Sequence, residues 1–281
     1  MKKILVTGGA GFIGTNLLKK LSKKDYQLIS IDNYCIGTKN NHIENVKYID
    51  DDIQNINKYN FEVDIIYHLA ALSRIQPSFE DPITTFNFNS AGTIEVLEYA
   101  RKKNAKIIYG GSSSRHHDPS ISPYAMTKYI GEQLIMLYNS SYDMNNHIVR
   151  FYNVYGPHEI LHGDWAAVIG KWRYQTINNI PITIVGDGTQ RRDFTHVCDI
   201  VDGLIKISTT NSKNRIWELG SGKNFSINEV FELFKNKFNS KCEYVNDQKG
   251  NYKETLRENN KALDELNWKP KGDLKKYIND L

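Results

Sequence analysis

The sequence is poor in cysteine and has no long apolar run. Its three cysteines, Cys35, Cys198 and Cys242, are odd in number and far apart, so they predict neither a disulfide framework nor a metal site. No apolar stretch approaches the roughly 20 residues that a membrane-spanning helix needs. The N-terminus has the pattern of a β-strand, not of a signal peptide. We therefore expect a cytoplasmic protein that holds no metal and has no membrane partner.

Charge of one sign is not in excess either. The chain has 281 residues, of which 36 are basic and 32 acidic, and its formal charge is +4. This balance is too even to favour nucleic acid as a partner. Hydrophobic residues make up 40% of the chain, which is enough to fill the core of one large domain or of two interlocked domains.

Four glycines, Gly8, Gly9, Gly11 and Gly14, follow the first apolar run. Residues 3–7 have the composition of a buried parallel strand, and apolar residues recur at helical spacing from Phe12 onward. Gly8, Gly11 and Gly14 therefore form a G-x-x-G-x-x-G loop between a strand and a helix. Such a loop places the pyrophosphate of a dinucleotide at the free N–H groups of the helix. The sequence predicts a dinucleotide-binding unit here.

An acidic residue ends the second apolar run. Residues 27–31 predict a strand, and Asp32 follows it at about the distance from the glycine loop that is expected for an acid on the adenosine ribose. Its charge would repel the 2′-phosphate of NADP. No arginine follows directly, because the next residues are Asn33, Tyr34 and Cys35. We therefore predict NAD as the cofactor.

A tyrosine and a lysine lie four residues apart in the middle of the chain. Tyr124 and Lys128 share one face of a helix that Ser122 and Pro123 are predicted to begin. A neighbouring ammonium lowers the pKa of a phenol, which makes the tyrosine a usable base. Residues 112–114 are serines that follow a predicted strand and supply a hydroxyl to the same crevice. The alternative is a surface pair without chemistry, which is common at this spacing.

Strand and helix patterns alternate through the first half of the chain. This alternation predicts an α/β fold with a doubly wound parallel sheet. Predicted strands cover residues 3–7, 27–32, 46–49, 64–68, 105–111 and 147–151, and predicted helices cover 12–23, 87–103 and 123–141. We expect residues 1–155 to form the nucleotide-binding domain with the tyrosine and lysine. Residues 156–281 are expected to form mainly a smaller C-terminal substrate-binding lobe, interleaved with the first domain.

Taken in this order, the motifs resemble the extended short-chain dehydrogenase/reductase family that acts on nucleotide-diphosphate sugars and has a Rossmann fold. Besides the glycine loop and the Tyr-x-x-x-Lys pair, further segments resemble family motifs: Asp51-Asp52-Ile53, His68-Leu69-Ala70-Ala71, Asn89-Ser90-Ala91-Gly92-Thr93, residues 150–157 and residues 191–197. The resemblance covers most of the chain. It implies NAD-dependent chemistry at C4 of a sugar.

The resemblance also implies a role for each matching residue. Tyr124 is the expected base, Lys128 its partner, and Ser113 the hydroxyl that bonds the oxyanion, with Ser114 as the alternative. Substrate contacts are implied for Ser114, Asn153 and Arg192, and the guanidinium of Arg192 suits a diphosphate. Cofactor contacts are implied for Gly8, Gly11, Phe12, Ile13, Gly14, Asp32, Asn33, Asp52, Ile53, Leu69, Ala70, Ala71, Asn89, Tyr124, Lys128 and Phe151.

Three features depart from the family pattern. Only ten residues separate Ser114 from Tyr124, and Arg115-His116-His117-Asp118-Pro119 replaces the usual V-Y-G. The two histidines are either sugar contacts or a surface turn, and we favour the turn. The arginine of the usual R-P-G-D segment is missing, with Lys249 as the nearest substitute. The C-terminus is short, which predicts a more open lobe.

Residues that this chain lacks narrow the choice of reaction within the family. Related dehydratases carry an Asp-Glu pair after the serine and decarboxylases a Glu, where this chain has Ser114-Arg115. A 3,5-epimerase needs a second base near residues 135–150, and none is present. We therefore predict a nucleotide-diphosphate-sugar 4-epimerase, with a UDP-sugar as the expected substrate. The alternatives are another oxidoreductase of the family (a reductase, decarboxylase or dehydratase) and a non-catalytic NAD-binding sensor.

Two of the predicted helices carry apolar faces. In the family these helices form a four-helix dimer interface. We therefore expect a homodimer that buries side chains of both helices: Ile94, Leu97, Ala100, Ile130, Leu134 and Leu137.

Overall fold

The computed structural model describes residues 1–212 and 215–281. Its thirteen strands in these ranges are β1 (Lys2–Thr7), β2 (Tyr26–Asp32), β3 (Val46–Asp50), β4 (Ile65–His68), β5 (Lys106–Ser112), β6 (His147–Phe151), β7 (Val154–Tyr155), β8 (Ile182–Val185), β9 (Arg191–Asp193), β10 (Thr195–His196), β11 (Ile216–Leu219), β12 (Asn224–Ser226) and β13 (Cys242–Val245). Seven of them form one parallel sheet in the order β11-β6-β5-β4-β1-β2-β3. The predicted doubly wound parallel sheet is confirmed.

Both faces of this sheet are covered, which explains the continuous apolar runs of its strands. Side chains of β1 alternate between the faces. Ile4 and Val6 join one buried cluster with Leu17 of the following helix. Leu5 points the other way, into a second cluster that contains Leu97. Both faces of β1 are therefore apolar over residues 4–6.

Ten helices flank the sheets in the described ranges: α1 (Phe12–Leu21), α2 (Ile75–Glu80), α3 (Pro82–Phe86), α4 (Gly92–Lys103), α5 (Pro123–Ser141), α6 (Val168–Ile177), α7 (Val197–Thr209), α8 (Ile227–Phe238), α9 (Lys261–Leu266) and α10 (Leu274–Asn279). The predicted helix over 87–103 is longer than expected, because a π-helical segment, Asn87–Ala91, joins α3 to α4. None of the described helices is long and apolar enough to cross a membrane.

The second half of the chain builds a smaller lobe around a third buried cluster. Trp172, Phe231 and Phe234 are at its centre, and edge-to-face contacts join the indole to both phenyl rings. The chain then returns to the large sheet, where β11 pairs with β6. The two halves are therefore interleaved. A domain boundary after residue 155 stays a prediction.

The growth of the sheet reverses direction between β1 and β4. β2 and β3 extend it on one side of β1, and β4, β5 and β6 extend it on the other. In such sheets the ligand crevice lies at the carboxyl ends of the strands, where the order reverses. The glycine loop follows β1 and residues 69–74 follow β4, so both reach this crevice.

Candidate active site

The glycine loop turns tightly against the loop that follows β4. Gly8 has a φ of +73°, and a Cβ there would lie 2.8 Å from the Ala70 Cα. A Cβ at Gly14 would lie 2.2 Å from the Gly8 carbonyl oxygen. Helix α1 begins at Phe12, and no side chain caps its first turn. The free N–H groups at this helix end are therefore available to a pyrophosphate.

Asp32 ends β2 and is only 7% exposed. Its Oδ2 accepts a hydrogen bond from the Ala10 N–H at 2.9 Å, and its Oδ1 accepts one from the Tyr34 N–H at 2.9 Å. Burial raises the pKa of this carboxyl, and the two N–H groups partly oppose the rise. Each oxygen keeps a lone pair for a ribose hydroxyl. Together with the glycine loop, this carboxylate fits NAD.

One cavity of about 640 Å³ joins the glycine loop to the smaller lobe. Asp52 and Asn89, two of the predicted cofactor residues, lie outside its lining. Asp52 accepts a hydrogen bond from Asn33 at 3.0 Å, and Asn89 bonds both backbone groups of Leu72. These two side chains therefore hold lining residues in place. The other predicted cofactor residues do line the cavity: Gly8, Gly11, Phe12, Ile13, Gly14, Asp32, Asn33, Ile53, Leu69, Ala70, Ala71, Tyr124, Lys128 and Phe151.

Tyr124 lies in the first turn of α5 and lines the cavity. The Ser122 hydroxyl caps this turn by accepting the Ala125 N–H at 3.1 Å. Burial raises the pKa of the Tyr124 phenol. The Ser112 hydroxyl and the Arg74 guanidinium oppose the rise, because both stabilise a phenolate.

Ser112 is the serine whose hydroxyl lowers the pKa of the Tyr124 phenol. Strand β5 ends at Ser112, one residue later than predicted, and Ser113 already belongs to the 3-10 turn that follows. The Ser112 Oγ also accepts the Ser114 N–H at 3.1 Å, which fixes the corner. All three serines line the cavity. Ser112 is therefore a candidate for the catalytic hydroxyl beside Ser113, whose role stays a prediction.

Lys128 lies one helical turn after Tyr124 and is 7% exposed. Its ammonium donates to the Gly110 carbonyl oxygen at 2.8 Å and lies 5.2 Å from the centre of the Tyr109 ring. Burial lowers the pKa of Lys128 to about 8, although the charge of Glu132 opposes this. In the structure the charge of Arg74 lowers the pKa of Tyr124, and the effect that the sequence predicts for Lys128 stays a prediction.

Arg192 and Asn153 line the cavity on the side of the smaller lobe, as predicted for substrate contacts. Arg192 donates to the Arg191 carbonyl oxygen at 2.8 Å and to the Asn251 Oδ1 at 2.6 Å. Burial lowers the pKa of Arg192 to about 10, so the guanidinium stays charged at neutral pH. Asn153 donates to the Thr255 hydroxyl at 3.0 Å. A planar cation of this kind suits a diphosphate.

The segment that replaces R-P-G-D also reaches the cavity. The cavity is lined by Gln248, Asn251 and Tyr252 of this segment. Lys249 does not line the cavity, so it does not occupy the position expected for the missing arginine. Tyr252 lies within reach of the Ser114 hydroxyl, and its ring stacks on His117 with centroids 4.0 Å apart. No motif marks Tyr252 in the sequence.

His116 does not lie in a free surface turn. Its Nε2 lies 2.8 Å from the Glu218 Oε1, and its Nδ1 lies 2.9 Å from the Glu258 Oε2. Both ring nitrogens therefore face carboxylate oxygens. Burial opposes the charge of Glu218, but His116, the Glu258 N–H and Tyr152 hold the pKa of that carboxyl at about 2. The short loop is thereby tied to β11 and to the C-terminal segment.

Several cavity residues have no motif that identifies them in the sequence. Arg74, Tyr252 and Thr255 lie on loops, and their approach to Tyr124 depends on how distant segments pack. For Arg74 the only signal is an arginine in the loop after a buried strand.

Comparison with known proteins agrees with this geometry. The profile of the NAD dependent epimerase/dehydratase family matches residues 4–220. A Methanocaldococcus jannaschii protein provisionally named a UDP-glucose 4-epimerase is 35% identical over 98% of this chain and 95% of its own length. UDP-glucuronic acid decarboxylase 1 of Arabidopsis thaliana is 30% identical over 98% of this chain and 68% of its own.

A solved structure has the same fold. The UDP-glucuronic acid 4-epimerase of Bacillus cereus, crystallised as a Tyr-to-Phe mutant with NAD and a fluorinated UDP-sugar, superposes with a TM-score of 0.91. The alignment covers 99% of this chain and 96% of that one, at 27% identity. The glycine cradle, Asp32 and the family match together establish NAD as the cofactor. The chain belongs to the NAD-dependent epimerase/dehydratase family, whose enzymes act on nucleotide sugars.

Proposed function

We propose that the protein is a UDP-sugar 4-epimerase. The observation that carries this proposal is a single acid/base pair at one end of the cavity, Tyr124 beside Ser112. Two residues later the chain has Ser114, where it would need a carboxylate to move a second proton in dehydration or decarboxylation. Glu159 also lines the cavity, but its carboxylate pairs with Arg173 at 2.9 Å.

The proton transfers at C4 fall to residues of this chain. When bound, NAD supplies a reversible hydride acceptor. Tyr124 accepts the proton of the C4 hydroxyl as the alcohol becomes a ketone, and returns it when the ketone is reduced. Ser112 donates a hydrogen bond to the C4 oxygen, whose negative charge grows in the transition state. Lys128 uses one of its three N–H donors on Gly110, which leaves two for a ribose.

Inversion at C4 requires that the ketone present its opposite face before hydrogen returns to the carbon. The hexose must therefore turn while the nucleotide stays bound. Arg192 lines the cavity on the side of the smaller lobe. Its guanidinium can hold the diphosphate by paired hydrogen bonds. The names of the relatives support uridine as the nucleoside.

Product analysis tests the proposal. Protein loaded with NAD is incubated separately with UDP-glucose and UDP-glucuronic acid, without further cofactor. The expected product is the C4 epimer, of unchanged mass, and the Tyr124→Phe variant should bind NAD but form none of it. Loss of CO2 to give a UDP-pentose, or release of NADH, would contradict epimerisation. Binding of UDP-sugars without any turnover would indicate a sensor.

We also propose a homodimer through α4 and α5. Ile94 is 41% exposed and Leu137 is 52% exposed, and they lie on helices whose neighbouring apolar side chains are buried. Leu97 and Ala100, which the sequence assigns to the same face, belong instead to the core against the sheet. The proposed interface therefore uses the outer edge of each helix.

A further inference from the structure

Arg74 is a cation in the cavity wall that no sequence motif identifies. It lies directly before α2, in the loop that follows β4, and its side chain is half-buried. Its Nε donates to the Trp165 carbonyl oxygen at 2.9 Å, and its Nη1 donates to the Ser73 carbonyl oxygen at 3.0 Å. These two bonds hold the guanidinium plane in a fixed orientation. They do not neutralise its charge.

Arg74 has no acidic partner among residues 1–212 and 215–281. The ion pairs formed by arginines in these ranges belong to Arg101, Arg115, Arg150, Arg173 and Arg191. Glu159 is the acid whose charge Arg74 feels, and that carboxylate is bound by Arg173 and by the Tyr277 hydroxyl. Burial lowers the pKa of the Arg74 guanidinium. A charge left in this state is costly unless a ligand supplies the opposite charge.

The position of Arg74 indicates which part of a ligand it meets. Its charge acts on the Tyr124 phenol, which is the group expected to touch the reacting carbon. Arg192 is available to a diphosphate through a separate set of contacts. Arg74 and Tyr124 line the same cavity, so a hexose placed at Tyr124 shares that cavity with the Arg74 guanidinium.

We propose that Arg74 selects a nucleotide sugar whose hexose carries a carboxylate, so that the preferred substrate class is a UDP-hexuronic acid. The proposal rests on the proposed function, because it places the hexose beside Tyr124. The described residues provide no acceptor for the Arg74 Nη2 group. This group and the outer edge of the guanidinium supply paired donors to a C5 carboxylate. A neutral hexose leaves the cation uncompensated in the cavity. Charge complementarity thus separates uronic acids from neutral sugars.

Equilibrium binding tests the proposal without requiring turnover. Titration calorimetry is carried out on NAD-loaded protein carrying Tyr124→Phe, so that no substrate is consumed. We expect UDP-glucuronic acid to bind at least about tenfold more tightly than UDP-glucose. Adding Arg74→Gln should weaken the binding of UDP-glucuronic acid by about 10- to 100-fold, as expected for the loss of a charge-assisted pair. The same change should alter UDP-glucose binding by less than about threefold, because uncharged hydroxyls lose only one neutral contact.

Three further variants serve as controls in the same background. Arg74→Lys keeps the charge but not the fork, and should recover part of the affinity for the uronic acid. Arg192→Gln should weaken both ligands equally, because both share the diphosphate. Arg101→Gln removes the same charge from the exposed face of α4 and should change neither.

Equal weakening of both ligands by Arg74→Gln would overturn the proposal and assign Arg74 to the diphosphate. Unchanged binding of both would overturn it as well, as would tighter binding of UDP-glucose by the unmodified pocket. If Arg74→Gln fails to fold, the proposal is still tested by the Arg74→Lys variant and by the preference of the parent protein for UDP-glucuronic acid over UDP-glucose. Failure of the proposed function is distinct, since it is the absence of C4 epimer from the wild-type protein with either sugar.

Discussion

Replacing Ser112 with alanine removes one oxygen atom from the corner between β5 and α5. Burial raises the pKa of Tyr124, and the Ser112 hydroxyl opposes that rise. The variant loses the donor to the C4 oxygen, and loss of such a donor costs about 100- to 1,000-fold in kcat. KM should change by less than about threefold, because the charge on C4 oxygen develops only in the transition state.

The pH dependence of kcat gives a second, independent readout of this variant. Tyr124 acts in its deprotonated form, so a higher phenol pKa requires a higher pH for activity. The ascending limb of the kcat profile should therefore move to higher pH in Ser112→Ala. The matched control is Ser113→Ala, which removes the same group from the neighbouring residue and should leave both kcat and the profile near those of the wild type. A large loss in Ser113→Ala with little effect of Ser112→Ala would refute the assignment.

Three other perturbations follow from distances and charges in the structure. Gly14→Ala places a Cβ 2.2 Å from the Gly8 carbonyl oxygen, so NAD should bind at least about tenfold more weakly by calorimetry; unchanged binding would contradict the cradle. Glu218→Gln should lower the free energy of unfolding at pH 7 by about 3 kcal/mol, because the carboxyl pKa falls from 4.5 to about 2 on folding. In the wild type this stabilisation is present above pH 4.5 and is lost as the pH falls from 4.5 towards 2. Urea unfolding at several pH values measures this loss. Equal stability of the wild type and the variant at pH 7 would refute the prediction. Leu137→Asp should convert the dimer to monomer in sedimentation velocity, and a wild-type monomer would exclude the interface.

The sheet and the cofactor half of the site could be predicted because their signals are local. An apolar run such as residues 3–7 must be buried on both faces, and that requirement fixes a parallel strand. Gly8 and Gly14 mark a backbone that side chains would obstruct. Asp32 ends the neighbouring strand, so its distance from the loop follows from the βαβ geometry.

The end of β5 at Ser112 is a feature that the sequence pattern locates incorrectly by one residue. The sequence places the strand end at residue 111, and β5 continues to Ser112. A shift of one residue changes which serine points at the phenol, since strand side chains alternate. Strand ends are set by which backbone groups find partners, and Ser112 pairs with Phe151 of β6. That pairing is a tertiary contact and leaves no local pattern.

The sugar end was largely beyond prediction, because it forms between segments far apart in sequence. His116 meets Glu218 and Glu258 only after β11 has joined the sheet. Asp52 accepts a hydrogen bond from Asn33, and its contact with the cofactor stays a prediction. The role proposed for Arg74 depends on its lack of an ion-pair partner among the described residues. Relations of this kind depend on packing.

The central claim is that the hydrogen removed from C4 returns to C4 of the same molecule. A UDP-hexose deuterated at C4 tests this most directly when it is converted by NAD-loaded protein in ordinary water and the product is examined by proton NMR. The account predicts that the epimer keeps its deuterium at C4. Replacement of that deuterium by solvent hydrogen would contradict it, because the carbon would then have exchanged a proton rather than stored a hydride.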